Sequence, residues 1–207
     1  FSMCKVGNEG VRTLAVVMQA LPAPLAFSSI NLVGCGLTAG NALLLAKSMR
    51  KGFQQTASLS MKELYVGSNP DLGDEGLTAL AGALPNTLES LFLDNTGCGD
   101  RAMATIATAL PAMPGLQKLE LQRNPAVSKV GWAALGNALP KLPELKKLGC
   151  ERCAMDDAGA VALAAGIQEA PSLIRLDLAG SNIGDLGKRA LATVERNRIE
   201  RRLEILY

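Results

Sequence analysis

Cys150-x-x-Cys153 is the spacing in this 207-residue chain that most invites a chemical reading. Two thiols three residues apart can form a redox pair or supply half of a zinc site. A tetrahedral zinc site needs four ligands, and the chain offers five cysteines, no second close pair and no histidine. The missing histidine also removes the usual general base and the usual pH switch near neutrality. The sequence therefore predicts no catalytic residue, no metal site and no cofactor. The residues left to act are charged and aromatic ones, which recognise partners rather than transform them.

Where those residues stand follows from a recurring pattern, L-x-x-L-x-L-x-x-N/C. Clear copies are Leu88-Leu91-Leu93-Thr96, Leu116-Leu119-Leu121-Asn124, Leu145-Leu148-Cys150-Cys153 and Leu173-Leu176-Leu178-Ser181. Looser copies are Phe27-Ile30-Leu32-Cys35 and Met61-Leu64-Val66-Asn69. Their first residues are 27, 61, 88, 116, 145 and 173, giving steps of 34, 27, 28, 29 and 28 residues. Self-similarity at such a period means a stack of one repeated strand-and-helix unit. In this frame Cys150 replaces a core leucine and Cys153 takes the N/C position, so both thiols read as small core residues. Asn69 and Asn124 at that position can bond the backbone of adjacent turns.

Alternation along each strand sends the residues between the leucines to the open face of the sheet. One row there reads Ser29, Glu63, Ser90, Lys118, Lys147, Arg175 and the next Asn31, Tyr65, Phe92, Glu120, Gly149, Asp177. Adjacent Tyr65 and Phe92, flanked by charge, have the composition of a binding hot spot. The predicted partner-binding set is Glu63, Tyr65, Phe92, Asp94, Lys118, Glu120, Arg123, Lys147, Arg152 and Arg175. The aromatics would supply apolar contact and the charges orientation. The competing reading is a solvated ladder in which Glu120, Glu151 and Asp177 neutralise the Lys118–Lys147–Arg175 row diagonally.

After each strand motif comes a glycine-bounded Ala/Leu helix, as in Gly73-Asp74-Glu75-Gly76-Leu77-Thr78-Ala79-Leu80-Ala81. Asn8, Asp74, Asp100 and Asp185 are expected to cap these helices. Gly10, Gly40, Gly76, Ala102, Gly131, Gly159 and Gly187 mark close backbone approach. Leu14, Leu44, Leu80, Ile106, Leu135, Leu163 and Leu191 are expected to face inward. Pro22, Pro85, Pro111, Pro140 and Pro171 stop the helices. The one long step predicts an exposed loop within residues 50–60, and Trp132 is expected to pack at a rim against a neighbouring helix. The fold class is thus α/β: a right-handed solenoid, or horseshoe, with parallel strands on the concave face and helices on the convex face.

The step length and the GDEGLTALAGAL style of helix resemble the ribonuclease-inhibitor-like class of leucine-rich repeats. That class includes the sensor arrays of NOD-like receptors and the GTPase-activating protein of Ran, and the resemblance spans essentially residues 1–207. It implies a horseshoe that binds other macromolecules. By analogy with GTPase activation it also leaves open a regulator of a small GTPase, with a role for Asn69 or Asn124.

A single repeat domain over 1–207 is expected, with a partial repeat at 1–24, full repeats from about 25, 60, 87, 115, 144 and 172, and a terminal strand near 202–206. The incomplete first unit and the Phe1 start read as part of a longer chain. A net charge of +2 gives no electrostatic case for nucleic acid. No apolar run reaches the ~18–20 residues of a membrane span, so direct membrane insertion is not expected. Unpaired-looking cysteines point to a reducing, cytoplasmic setting. The expected function is a non-catalytic module that binds a protein partner on its concave face. The alternative is a structural subunit of a larger complex that uses its helices or its ends.

Overall fold

The computed structural model describes residues 7–20, 28–55, 61–198 and 203–207. The expectations on Pro22, Phe27 and residues 56–60 lie outside these, as does the side chain of Asn8. Seven three-residue strands form one parallel sheet in chain order: β1 Ser29–Asn31, β2 Glu63–Tyr65, β3 Ser90–Phe92, β4 Lys118–Glu120, β5 Lys147–Gly149, β6 Arg175–Asp177 and β7 Glu204–Leu206. The helices are α1 Gly7–Ala20, α2 Ala39–Gln55, α3 Gly73–Ala81, α4 Asp100–Ala109, α5 Lys129–Ala138, α6 Asp157–Glu169 and α7 Asp185–Asn197. The chain is a right-handed α/β solenoid. Strands stack ~4.8 Å apart whereas helices need ~8–10 Å, so the sheet lies on the inside of the curve.

Three residues make too little strand to be stable alone, and burial of the middle one fixes each in place. Ile30, Leu64, Leu91, Leu119, Leu148 and Leu176 are all buried beneath the sheet. The neighbouring leucines and the helix faces close one continuous apolar core around them. Pro70, Pro111 and Pro140 each begin or sit in a single 3-10 turn, at Pro70–Leu72, Leu110–Ala112 and Leu139–Lys141, where a missing N–H costs little.

Beyond the strands the backbone turns and would leave polar groups buried without water. Asn69 Nδ2 donates to the carbonyls of Leu32, Val66 and Gly67 at 2.8–3.0 Å, and its Oδ1 accepts from the Leu37 N–H at 2.9 Å. Asn124 repeats this on Leu93 and Leu121 at 2.8 Å, accepting from the Thr96 and Cys98 N–H groups at 3.0 Å. Just before each such residue the chain enters the left-handed region, at Gly34, Ser68, Asn95, Arg123, Arg152 and Gly180. For non-glycine residues that conformation costs roughly 1–2 kcal/mol, least for Asn.

Asp74, Asp100 and Asp157 cap helices, but not their own, and the expected cap Asp185 makes no such bond among the described residues. Asp74 Oδ1 accepts from the Gly99 N–H at 2.7 Å, at the start of α4. Asp100 Oδ1 accepts from Ser128 and Gly131 N–H at 2.8 and 3.0 Å, at the start of α5. Asp157 Oδ1 accepts from the Gly187 N–H of α7 at 2.9 Å. Each carboxylate thus crosses one repeat. A Cβ at Gly99, Gly131 or Gly187 would come within 2.7–3.0 Å of it, which is why those positions hold glycine. Lys129 stands at the equivalent place in α5, and α6 is capped instead from within, by Asp156 Oδ1 on the Gly159 N–H at 2.8 Å.

Three more expectations need correction. In α2 the inward face is shifted by one residue, so Leu45 is fully buried while Leu44 is 40% exposed. Gly40 correspondingly meets almost nothing, and the buried Asn41 takes the close-packing place. The extra residues of the long repeat do not form a loop throughout: α2 runs on to Gln55. Trp132 does pack on a neighbouring helix, with Cδ1 2.7 Å from where a Gly159 Cβ would sit. It is fully buried rather than on a rim, because Gly159 leaves room for the indole. At α5–α6 the approach is closest of all, since a Cβ on Gly166 would collide with the Gly136 carbonyl oxygen.

Two stability outcomes follow from these contacts. Leu119→Ala should cost ~2–5 kcal/mol through the cavity it leaves, and a urea melt showing a much smaller loss would contradict its central position. Asp100→Ala should cost about 1 kcal/mol by uncapping α5. Burial raises the Asp100 carboxyl, but its bonds from Ser128 and Gly131 outweigh this and hold it below its ordinary value. A carboxyl lowered by folding stabilises above its unfolded value and loses that contribution as pH falls through the folded one. The wild-type advantage over Asp100→Ala should therefore shrink on acidification below about pH 4; a pH-independent difference would count against it.

Candidate interaction face

Strand register puts the two concave rows together as the alternation requires. Ser29, Glu63, Ser90, Lys118, Lys147, Arg175 and Glu204 pair in one line. Asn31, Tyr65, Phe92, Glu120, Gly149, Asp177 and Leu206 form the next. Because each strand is only three residues long and pinned by its central leucine, a one-residue slip would turn that leucine out of the core.

Tyr65 and Phe92 stack with centroids 4.2 Å apart and planes 12° from parallel. Both are half-buried rather than fully exposed, since each ring covers the other. Lys118 Nζ lies 4.7 Å from the Phe92 centroid, adding a cation–π contact. Such a stack and cation contribute roughly 0.5–1.5 and 0.5–1 kcal/mol at a partly exposed site. Burial raises the Tyr65 hydroxyl pKa, and the Glu63 carboxylate, which accepts its hydrogen bond, raises it further.

Glu120 was expected on the open face, but it is only 3% exposed. Gly149 has no side chain, and the Glu120 carboxylate occupies the space: a Cβ there would collide with Oε2. Lys118 and Lys147 close over Glu120 Oε1 at 3.2 and 2.8 Å, and Gln122 Nε2 donates to Oε2. Glu120 is thus an internal counter-ion for the lysine row, not a surface for a partner. Asp177 is buried as well, with its Oδ1 accepting from the Ala179 N–H at 3.2 Å. Glu151 compensates no cation closely; it hydrogen-bonds Asp177. Arg175 reaches Glu204 at 3.7 Å with both side chains well exposed.

The remaining predicted residues lie just past the strands. Asp94 folds over Gly67, where a Cβ would collide with its carboxylate. Arg123 and Arg152 are exposed on successive left-handed turns, and Arg152 Cγ lies 3.0 Å from where a Gly180 Cβ would sit. The stacking of the aromatics and the Arg198 guanidinium were not foreseen; the Glu120 bridge is the neutralisation of the competing reading, buried rather than solvated. Arg198 is buried and donates to the carbonyls of Ile167 and Leu173 at 3.0 and 2.8 Å. Its only sequence signal is an arginine in a run that otherwise reads as solvated.

Cys150 and Cys153 are fully buried. Burial pushes the Cys153 thiol up to about 11 and Cys150 well above its ordinary value. The Cys153 thiol donates to the Leu121 carbonyl at 3.2 Å, doing in its turn what an asparagine amide does in others. Protonated, buried thiols are core groups and poor nucleophiles. Among the described residues no group of His, Cys, Asp and Glu side chains is arranged to hold a metal ion, and no helix is long and apolar enough to cross a membrane.

A sequential parallel sheet of three-residue strands, stacked asparagine turns and an outer helix per unit define a leucine-rich repeat array. The chain is a leucine-rich repeat protein of the ribonuclease-inhibitor-like class. The family described as Leucine Rich repeat matches residues 57–81 and 169–192. Pig ribonuclease inhibitor is 28% identical over 188 residues, covering 88% of this chain and 39% of that protein. Human leucine-rich repeat-containing protein 73 is 27% identical, with 90% of this chain and 58% of that protein covered. Bovine NACHT, LRR and PYD domains-containing protein 5 is 30% identical, covering 92% of this chain and 17% of that one. The chain therefore spans between about a sixth and three-fifths of the length of these relatives.

The Glu151–Asp177 contact has a pH signature. The hydrogen bond to Asp177, then burial and the Asp177 and Glu120 charges, hold the Glu151 carboxyl above its ordinary 4.5, with Lys147 opposing. A carboxyl raised by folding contributes stability that is complete below its unfolded value and lost as pH rises through the folded one. Glu151→Gln keeps a hydrogen-bond donor for Asp177 and drops the charge. It should raise the thermal midpoint at pH 7 by about 1 °C and leave it unchanged near pH 4. An equal effect at both pH values would show that the charge is not the cause.

Proposed function

We propose that this chain is a non-catalytic module that grips a protein partner on its concave face. The observation that carries the reading is the Tyr65–Phe92 stack with Lys118 over its edge. Two aromatic rings held rigid by each other, on the open side of a sheet, lose little entropy on binding and offer apolar area ringed by charge. Glu63 lies on, and Asp94 just past, the strands that carry them, Lys147 and Arg175 two and three strands beyond Phe92, and these charges would set orientation. Glu120 serves here by holding the two lysines in place. The name of the pig relative, a ribonuclease inhibitor, is that of a protein acting on another protein, and it supports the reading.

A second reading has its own observation. Val16 of α1 and Leu43 and Leu44 of α2 are exposed by 64%, 60% and 40%. Apolar side chains on two adjacent outer helices suit a subunit held in a larger assembly by its convex side.

The deciding experiment is a quantitative pull-down with mass-spectrometric readout, comparing the wild type with Tyr65→Ala/Phe92→Ala after its fold is checked by circular dichroism. Loss of captured partners by tenfold or more, about 1.4 kcal/mol, is the expected result, and Lys147→Glu should weaken the same partners. Undiminished capture by both variants would move the function to the helices.

A further inference from the structure

The strand side of this protein spends most of its cations internally. Lys118 and Lys147 hold Glu120, Lys62 holds Glu89 at 2.7 Å, and Arg175 leans on Glu204. Arg123 and Arg152 are different. Both are exposed, and among the described residues neither guanidinium sits in an ion pair. Their charge is thus available to solvent.

Their backbone makes the choice of arginine costly. The two residues have φ of 56° and 54°. The same place in the other turns is taken by Gly34, Ser68, Asn95 and Gly180. Glycine or asparagine adopts this conformation with less strain, so the turn itself does not call for a long cationic side chain. Arg123 N–H donates to the Glu151 carbonyl and Arg152 N–H to the Ala179 carbonyl, both at 2.8 Å. That stacks the two turns at about one strand spacing, ~4.8 Å. Two planar, five-donor groups therefore stand on adjacent turns of a ledge at the end of the sheet, the stem of Arg152 lying over Gly180 of the turn after it.

We propose that Arg123 and Arg152 form a two-pronged site for a pair of carboxylates on an acidic segment of a protein partner. The assignment rests on the reading of this chain as a protein-binding array and names the chemistry of what it binds. Guanidinium groups pair with carboxylates through two parallel hydrogen bonds each. Asp94, Glu151 and Asp177 lie in the turns and strands beside the ledge, so its positive potential is short. It matches a few clustered carboxylates and opposes the long, uniform charge of a nucleic acid.

The test titrates the whole chain into a fluorescein-labelled hexaglutamate peptide, read by fluorescence anisotropy at roughly 0.02 M and 0.3 M salt. Wild type is compared with Arg123→Gly/Arg152→Gly, with Arg123→Asn/Arg152→Asn and with Arg101→Gln/Lys188→Gln. The expected result is salt-sensitive binding that falls about tenfold or more in both arginine variants. Their thermal midpoints should equal or exceed that of the wild type, and Arg101→Gln/Lys188→Gln, which removes two exposed charges from α4 and α7, should bind the peptide normally. No wild-type binding above a Gly/Ser control peptide overturns the proposal. So does unchanged affinity in either arginine variant, or tighter binding of an oligothymidylate of equal length. Because this readout does not involve the aromatic stack, it can fail while the concave-face reading stands, and the reverse.

Discussion

Everything on the open face depends on the register of seven strands that are each too short to set a register alone. The leucine or isoleucine at the middle of a strand has one place to go, beneath the sheet. Its two neighbours are then held outward one strand spacing from their counterparts. Register is therefore imposed by burial, and the concave surface is an ordered grid whose rows are written directly in the sequence. The stacked rings of Tyr65 and Phe92 are one product of that grid, and the three-way contact of Lys118, Glu120 and Lys147 is another.

The grid also explains how like charges are tolerated. Lys118, Lys147 and Arg175 face one another across adjacent strands, an arrangement that repels. The protein answers with an absence: Gly149 leaves a gap in the neighbouring row, and the Glu120 carboxylate lies in it between two ammonium groups. A charge surrounded in this way by opposite charge and by a Gln122 bond is not exposed as an isolated buried carboxylate would be to the full desolvation cost. The lysines keep a defined position instead of wandering in solvent. The face is thereby both neutralised and rigid.

What the sequence made legible is local and periodic. The repeat and the strand rows depend on residues a few positions apart, and the structure places them as expected; Asn69 and Asn124 reach one repeat further, but their fixed place in the repeat names the turn they meet. What escaped depends on residues one repeat away. Asp74, Asp100 and Asp157 each look like caps for the helix they begin, yet each serves the next one, 25 to 31 residues on. The shift in α2 was hidden because Leu43, Leu44 and Leu45 are consecutive, so a helical face can be drawn through more than one of them. Glu120 looked exposed because alternation tells direction, not cover. Trp132 and Arg198 were misjudged for a similar reason, since a small residue opposite, Gly159, and two loop carbonyls decide their burial.

The caps that cross from repeat to repeat make the units of α4, α5 and α7 dependent on the identity of the one before. A helix whose first turn is held by its predecessor's aspartate cannot be placed after a unit that lacks one. The unit containing α6 is free of that condition, because Asp156 supplies the cap and Lys129 before it supplies none. Gene segments encoding such a unit can be duplicated or moved behind any neighbour without stripping its helix of a partner. Removing that unit would instead strip α7 of the Asp157 carboxylate, so modularity is uneven along the array.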